Sequence, residues 1–220
     1  MTMTARELID AVRSDLSDDG TRWDDNTMLG YINRAQNMVA NLRPDVSTEV
    51  DVVKLEAGKT RQTVPATARL LVAVSRNMGV DGETPGRPVT DVSQDDLNAA
   101  NTTWHNDTAS AVIYHFTYDE KTPEYYYVTP VPAEDVHLEL VLAAPPVPVE
   151  DVESTIALDD TWQEALMEWM KRCAYNINGS SLTEKQIAKG HEQSFYVMLG
   201  DEARARLLAS PNTDAREVSV

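Results

Sequence analysis

The sequence predicts an α+β protein: a helical bundle built from N- and C-terminal helices, carrying a β-rich antiparallel insertion. Two observations predict it. Apolar residues recur at helical spacing in the first 45 residues and again beyond residue 149, whereas the period drops to two in between. Within that middle, Ala109 to Pro146 concentrates five of the eight tyrosines and one of the two phenylalanines, in β-branched and aromatic runs broken by turn residues. The expected bounds are 1–45 and 149–209 for the bundle, 46–148 for the insertion, and 210–220 for a flexible or partner-ordered polar tail containing Pro211.

Thr4 and Glu7 have capping-box spacing, and Leu8, Val12 and Leu16 follow at four-residue intervals, which predicts a first helix ended by Ser17-Asp18-Asp19-Gly20. Trp23-Asp24-Asp25-Asn26 supplies the next cap. Met28, Leu29, Ile32, Ala35, Val39 and Leu42 form the stripe of a second helix closed by Pro44, and the two helices are expected to make a hairpin. From Glu49 to Leu55 the pattern is that of a strand. It turns at Glu56-Ala57-Gly58-Lys59 and returns from Thr60 to Val64 as a hairpin. Arg69 to Met78 is apolar enough to be buried; Val72 and Val74 ahead of Gly79-Val80-Asp81-Gly82 favour strand over helix there. Val89 to Val92 is a candidate short strand, and Ser93 with Asp96 starts a short helix through Ala99.

Three further runs read as a meander. Val112, Tyr114, Phe116 and Tyr118 share one face of the first, Tyr125-Tyr126-Tyr127 lies in the second, and Val136, Leu138, Leu140 and Leu142 share one face of the third. Prolines 145, 146 and 148 make a stiff exit. Thr161 and Glu164 then have capping-box spacing before a broad apolar face of Trp162, Ala165, Leu166, Trp169, Met170, Cys173, Ala174 and Ile177. Ser181 and Glu184 cap a last long helix with Ile187, His191, Phe195, Met198, Leu199 and Leu207. No internal repeat or low-complexity segment interrupts this order.

Thirty-six Asp and Glu against 19 Lys and Arg give a formal charge of −17, a field that repels nucleic-acid phosphates and anionic lipid surfaces. Eleven of the acids fall between Thr117 and Asp160, where Lys121 is the lone base. That acidity serves either solubility or function. No apolar run reaches the roughly 18–20 residues of a membrane span, and a single cysteine excludes an intrachain disulfide, which fits folding in a cytoplasm.

The chemistry-bearing residues do not assemble into a motif. His105, His115, His137 and His191 lack metal-ligand spacing, although His115 and His137 fall on runs that would neighbour each other in a meander. Gly79, Gly82 and Gly86 precede neither a phosphate-binding lysine nor a helix. Cys173 sits on an apolar helix face as a small inert hydrophobe. No catalytic, cofactor-binding or metal residue is therefore assigned, and no cofactor. Tyr125, Tyr126 and Tyr127 lack the basic neighbours of a base-stacking platform; an outward member of the three is a candidate protein contact.

Four stretches together resemble the head-to-tail adaptor (connector) proteins of tailed bacteriophages, including the tail tubular protein A type. Asp25-Asn26-Thr27-Met28-Leu29-Gly30-Tyr31-Ile32-Asn33-Arg34-Ala35-Gln36 is similar to the early helix, and Val64-Pro65 through Arg76-Asn77-Met78-Gly79 to the first β segment. Pro123 to Pro132 is similar to the aromatic strand ending in Pro-x-Pro, and Leu158 to Leu166 to the opening of the late helix. The resemblance implies a non-enzymatic virion protein of the phage neck, made in the host cytoplasm. It implies a ring, usually dodecameric, between the portal protein and a downstream nozzle or tail-tube protein, with tail fibres as a further candidate partner. Genomic DNA would pass through the extended channel without specific binding. It also places a portal-docking arm at Ala203 to Val220, which makes Arg204, Arg206, Leu207 and Leu208 candidate contacts beside the three tyrosines. Two other readings stand beside it: a small acidic hydrolase using His105 and Asp107, and another phage tail or capsid accessory protein.

Overall fold

The computed structural model describes residues 3–119, 121–177 and 181–209, with side chains of the last helix described through Asp201. The chain divides into two compact units, one running to Arg43 and resuming at Pro146, the other spanning Pro44–Pro145. The class is α+β, with terminal helices flanking an antiparallel β-rich middle.

The helical unit contains α1 (Ala5–Leu16), α2 (Asp25–Leu42), α4 (Gln163–Tyr175) and α5 (Leu182–Ala209). Its ends are set by the polar residues that the sequence spacing picks out. Thr4 and Glu7 exchange side-chain-to-amide bonds at 3.3 and 2.8 Å, Asp24 accepts the Thr27 amide at 2.8 Å, and Ser181 and Glu184 form a second capping box at 3.2 and 2.7 Å. The start of α4 differs from expectation. Thr161 and Glu164 do not form a box; a 3₁₀ turn over Asp160–Trp162 leads into the helix, and Asp159 accepts the Thr161 amide at 3.0 Å.

Within this unit α1 and α2 do not simply close on each other as a hairpin. Both rest on α4, which packs most extensively against α5. Leu8, Ile9 and Val12 of α1, Met28, Ile32 and Val39 of α2, Leu166 and Met170 of α4 and Phe195 of α5 are all fully enclosed. Leu42, Ile177 and Ile187, expected on these apolar stripes, are exposed. Leu42 and Ile177 fall where their helices end, and in α5 the buried face runs through Ala188, Phe195 and Leu199, one position off Ile187. A buried Glu168 ties three helices together. It accepts from His191 Nδ1 of α5 at 2.8 Å and pairs with Lys171, whose ammonium also reaches Asp15 of α1 at 3.1 Å. Burial opposes the charge on Lys171, yet the two carboxylates hold its pKa above the ordinary value.

The other unit holds β1 (Thr48–Lys54), β2 (Arg61–Thr63), β3 (Leu70–Asn77), β4 (Thr90–Asp91), a short α3 (Gln94–Ala100), β5 (His115–Tyr118), β6 (Tyr125–Thr129) and β7 (His137–Ala143). They form two sheets, ordered β1-β7-β3 and β2-β6-β5-β4; every strand pairing is antiparallel except the two-residue β4–β5 pair. The individual strands are largely those expected, but their partners are not. β1 and β2 do not form a hairpin with each other: β1 pairs with β7 and β2 with β6. The meander also breaks, because β7 leaves β6 to become the centre of the other sheet. A strand alternating Val136, Leu138, Leu140 and Leu142 gains most where it has neighbours on both edges. Those four residues join Leu71, Val74, Ile113, Phe116, Tyr126 and Val128 in one core. Val112 and Tyr114, expected inside, face solvent, since the strand starts only at His115 and Ile113 takes the buried place.

Asn77 fastens this core at its margin. Its side-chain amide donates to the carbonyls of Arg87 and Ile113, both at 2.9 Å, and its oxygen accepts the Ile113 amide at 2.8 Å. A segment with no regular pairing of its own is thereby given its hydrogen bonds.

Candidate functional site

The tyrosine triplet lies on β6, so its members alternate. Tyr126 is the inward one, fully enclosed, and its phenol finds no hydrogen-bond partner among the described residues; burial pushes its pKa up. It offers no contact surface, which corrects its place among the candidates. Tyr125 and Tyr127 stand on the opposite face, half-buried. The Arg61 guanidinium lies 5.0 Å over the Tyr125 ring. Tyr127 meets Trp104 and His105 edge-on at 6.1 and 6.0 Å, and Trp104 and His105 lie against each other at 3.5 Å.

That arrangement decides the fate of His105. Its Nδ1 faces the Thr60 hydroxyl at 2.9 Å, while Asp107 accepts both its bonds from the Asn101 side-chain amide at 3.0 Å. Neither orients the other toward a substrate atom, so the base–orienter geometry of a hydrolase is missing. His115 and His137 do not face each other either; they belong to different sheets, and His137 Nδ1 sits 3.3 Å from the Gly79 carbonyl. Among the described residues no three His, Cys, Asp or Glu side chains are grouped to hold a metal, and no helix is long and apolar enough to cross a membrane.

Residues that sequence spacing passed over hold the chain in place around α2. Asn33 donates to the Val149 carbonyl at 2.9 Å and accepts the Val149 amide at 2.8 Å; the buried Gln36 accepts the Ala157 amide at 2.8 Å. Backbone bonds from Ala5 and Arg6 to the carbonyls of Ser154 and Val152 complete the fastening of the stretch after the prolines. Polar residues within an apolar helical stripe were the available signal.

Beside them runs a groove between α2 and α4, with two adjoining cavities of about 520 and 280 Å³ that share Arg34, Arg172 and Cys173. Cys173 is a free, buried thiol whose pKa burial raises, against the pull of the Arg172 and Arg34 guanidiniums. Arg204, Arg206, Leu207 and Leu208 fall within α5, where their side chains lie outside the described residues, as does 210–220 of the expected portal arm.

A helical unit with a β-rich segment set into its chain, bearing half-buried tyrosines and exposed valines, presents surfaces suited to contact. The family model described as SU10 adaptor protein matches residues 3–216, and the chain belongs to this family of head-to-tail adaptors. It is a structural, non-enzymatic virion protein of the head–tail junction. No individual curated protein matches the chain significantly.

Proposed function

We propose that copies of this protein form a ring, twelve in number, between the portal and the downstream nozzle or tail-tube protein, and that the ring lengthens the DNA channel. The observation that carries the channel reading is the formal charge of −17 in a chain whose family joins head to tail. A wall of that sign repels the phosphate backbone, so DNA slides instead of sticking. The chain is made in the host cytoplasm and ordered at the neck. Its segment from Ala203 onward, with Arg204, Arg206, Leu207 and Leu208, serves the portal side. Tyr125 and Tyr127, the outward members of the triplet, serve contacts made by the insertion with the tail or with fibres.

Cryo-microscopy of purified virions tests this directly. The expected map has a twelve-membered ring of this chain on the portal vertex with the DNA path through its middle. A neck lacking the protein, or holding it outside the channel, overturns the reading. Removing the residues after Leu208 is expected to weaken attachment to the portal vertex while the protein remains folded.

A further inference from the structure

The groove between α2 and α4 has a composition that its own unit does not account for. Thr27, Gly30, Tyr31, Arg34, Met38 and Asn41 line one wall at three- and four-residue spacing, which makes a stripe along α2 of roughly 20 Å. Arg172 and Cys173 lie on the facing wall. Elsewhere in this unit Arg6, Arg13 and Arg22 each hold a carboxylate, at 3.0, 2.9 and 2.6 Å. Arg34 has no carboxylate partner among the described residues and lies 5.9 Å from the Tyr31 ring, and Arg172 reaches Glu192 no closer than 3.7 Å while stacking over Trp169. Both guanidiniums face the same Cys173 thiol. Two cations drawn to one point repel unless an anion lies between them.

Gly30 is a second, independent observation. A glycine in the middle of an 18-residue helix costs about 1 kcal/mol against alanine. A Cβ there would meet nothing within 4 Å, so packing within the chain does not require the missing side chain. Close approach of another backbone along the groove would.

We infer that this groove binds a carboxylate-bearing segment of a second copy of the chain. The inference rests on the ring reading above and names the contact that joins neighbouring copies. Charge selects the occupant: copies at −17 repel, their surfaces are rich in carboxylates, and association requires cations kept for the contact. A guanidinium fork takes a carboxylate through two parallel bonds, and two arginines at one spot hold it in a fixed register. The side chain of Asn176 borders the same channel.

The test uses the full-length protein added to tailless heads that carry the portal vertex, with copies counted by microscopy and copy–copy association followed by sedimentation. Three variants are compared with the parent: Arg34→Glu, Arg172→Glu and Gly30→Leu. The last fills the groove while improving helix propensity, so it retains the fold where a charge reversal fails to. Each folded variant is expected to associate with its neighbours about tenfold or more weakly, the scale of losing a desolvated charge pair or its access. Rings that form as well from Gly30→Leu and the folded charge variants as from the parent overturn the inference and leave the ring reading intact. Variants that still form rings but no longer stay on the heads overturn it too, because the groove then serves the portal. If the parent binds heads only as scattered single copies, the ring reading itself fails and the inference goes with it.

Discussion

The stretch Gly30-Tyr31-Ile32-Asn33-Arg34-Ala35-Gln36 shows how much about two turns of helix settle. Ile32 and Ala35 are fully enclosed, Asn33 and Gln36 grip the returning chain, and Gly30 and Arg34 are left to the groove. Gln36 is 1 % exposed and its oxygen is the acceptor for the Ala157 amide, so Gln36→Ala removes that bond and leaves a void where the enclosed side chain was. Urea unfolding is expected to show a loss of about 1–3 kcal/mol. Tyr126 gives the opposite sign. Its phenol is enclosed without a partner among the described residues, so Tyr126→Phe is expected to leave stability unchanged or raise it by up to about 1 kcal/mol. A clear drop in melting temperature would show that the hydroxyl is bonded after all.

At the scale of elements, the helices were legible in the sequence and the strand pairings were not. Thr4 with Glu7, Asp24 with Thr27 and Ser181 with Glu184 are local interactions between residues three apart, and local interactions are written in local spacing. Thr161 with Glu164 has the same spacing but loses to Asp159, which lies closer to the turn that forms. Strand alternation marked Val136, Leu138, Leu140 and Leu142 as one face, yet alternation says nothing about which strand lies alongside; a neighbour in sequence is only a default. β7 found its partners in residues 48–54 and 70–77, far back along the chain. The groove was illegible for a related reason: which carboxylates come near Arg34 and Arg172 depends on how the helices pack, and only Glu192, 3.7 Å from Arg172, does so among the described residues. Glu184 carries a prediction at this scale. The Arg22 guanidinium, followed by the bonds from Ser181, lowers its pKa from 4.5 to about 2. The folded state therefore gains from ionised Glu184 fully above about pH 4.5, and loses that gain as pH falls toward about 2. Glu184→Gln is expected to lower the melting temperature at pH 7 and to flatten its decline between those two pH values. An unchanged acid profile would show that this cap adds nothing to stability.

For the molecule as a whole, the arithmetic of charge sets the terms on which it meets others. A surface this acidic discourages casual association, so each productive contact needs its own cations or apolar residues. The β-rich unit supplies apolar ones: Val50 and Val52 on β1 and Val72 on β3 are exposed. Strand β1, exposed along nearly its whole length, pairs within the unit only with β7. The same strand fixes the roots of the insertion. Thr48 lies opposite Ala143, and the Ala144 amide donates to the Ser47 carbonyl at 2.9 Å, so the segment leaves and rejoins the helical part through two chain ends already clasped together. Clasped ends make the segment a graft. Exchanging 44–145 for a short Gly-Ser bridge asks the remaining chain to close only a small loop, whose entropy cost grows slowly with length. Circular dichroism of that shortened protein is expected to show a cooperative helical melt. The wider consequence is interchangeability. A segment stitched in through one such pair of stitches can be refitted while the helical part keeps its own fold.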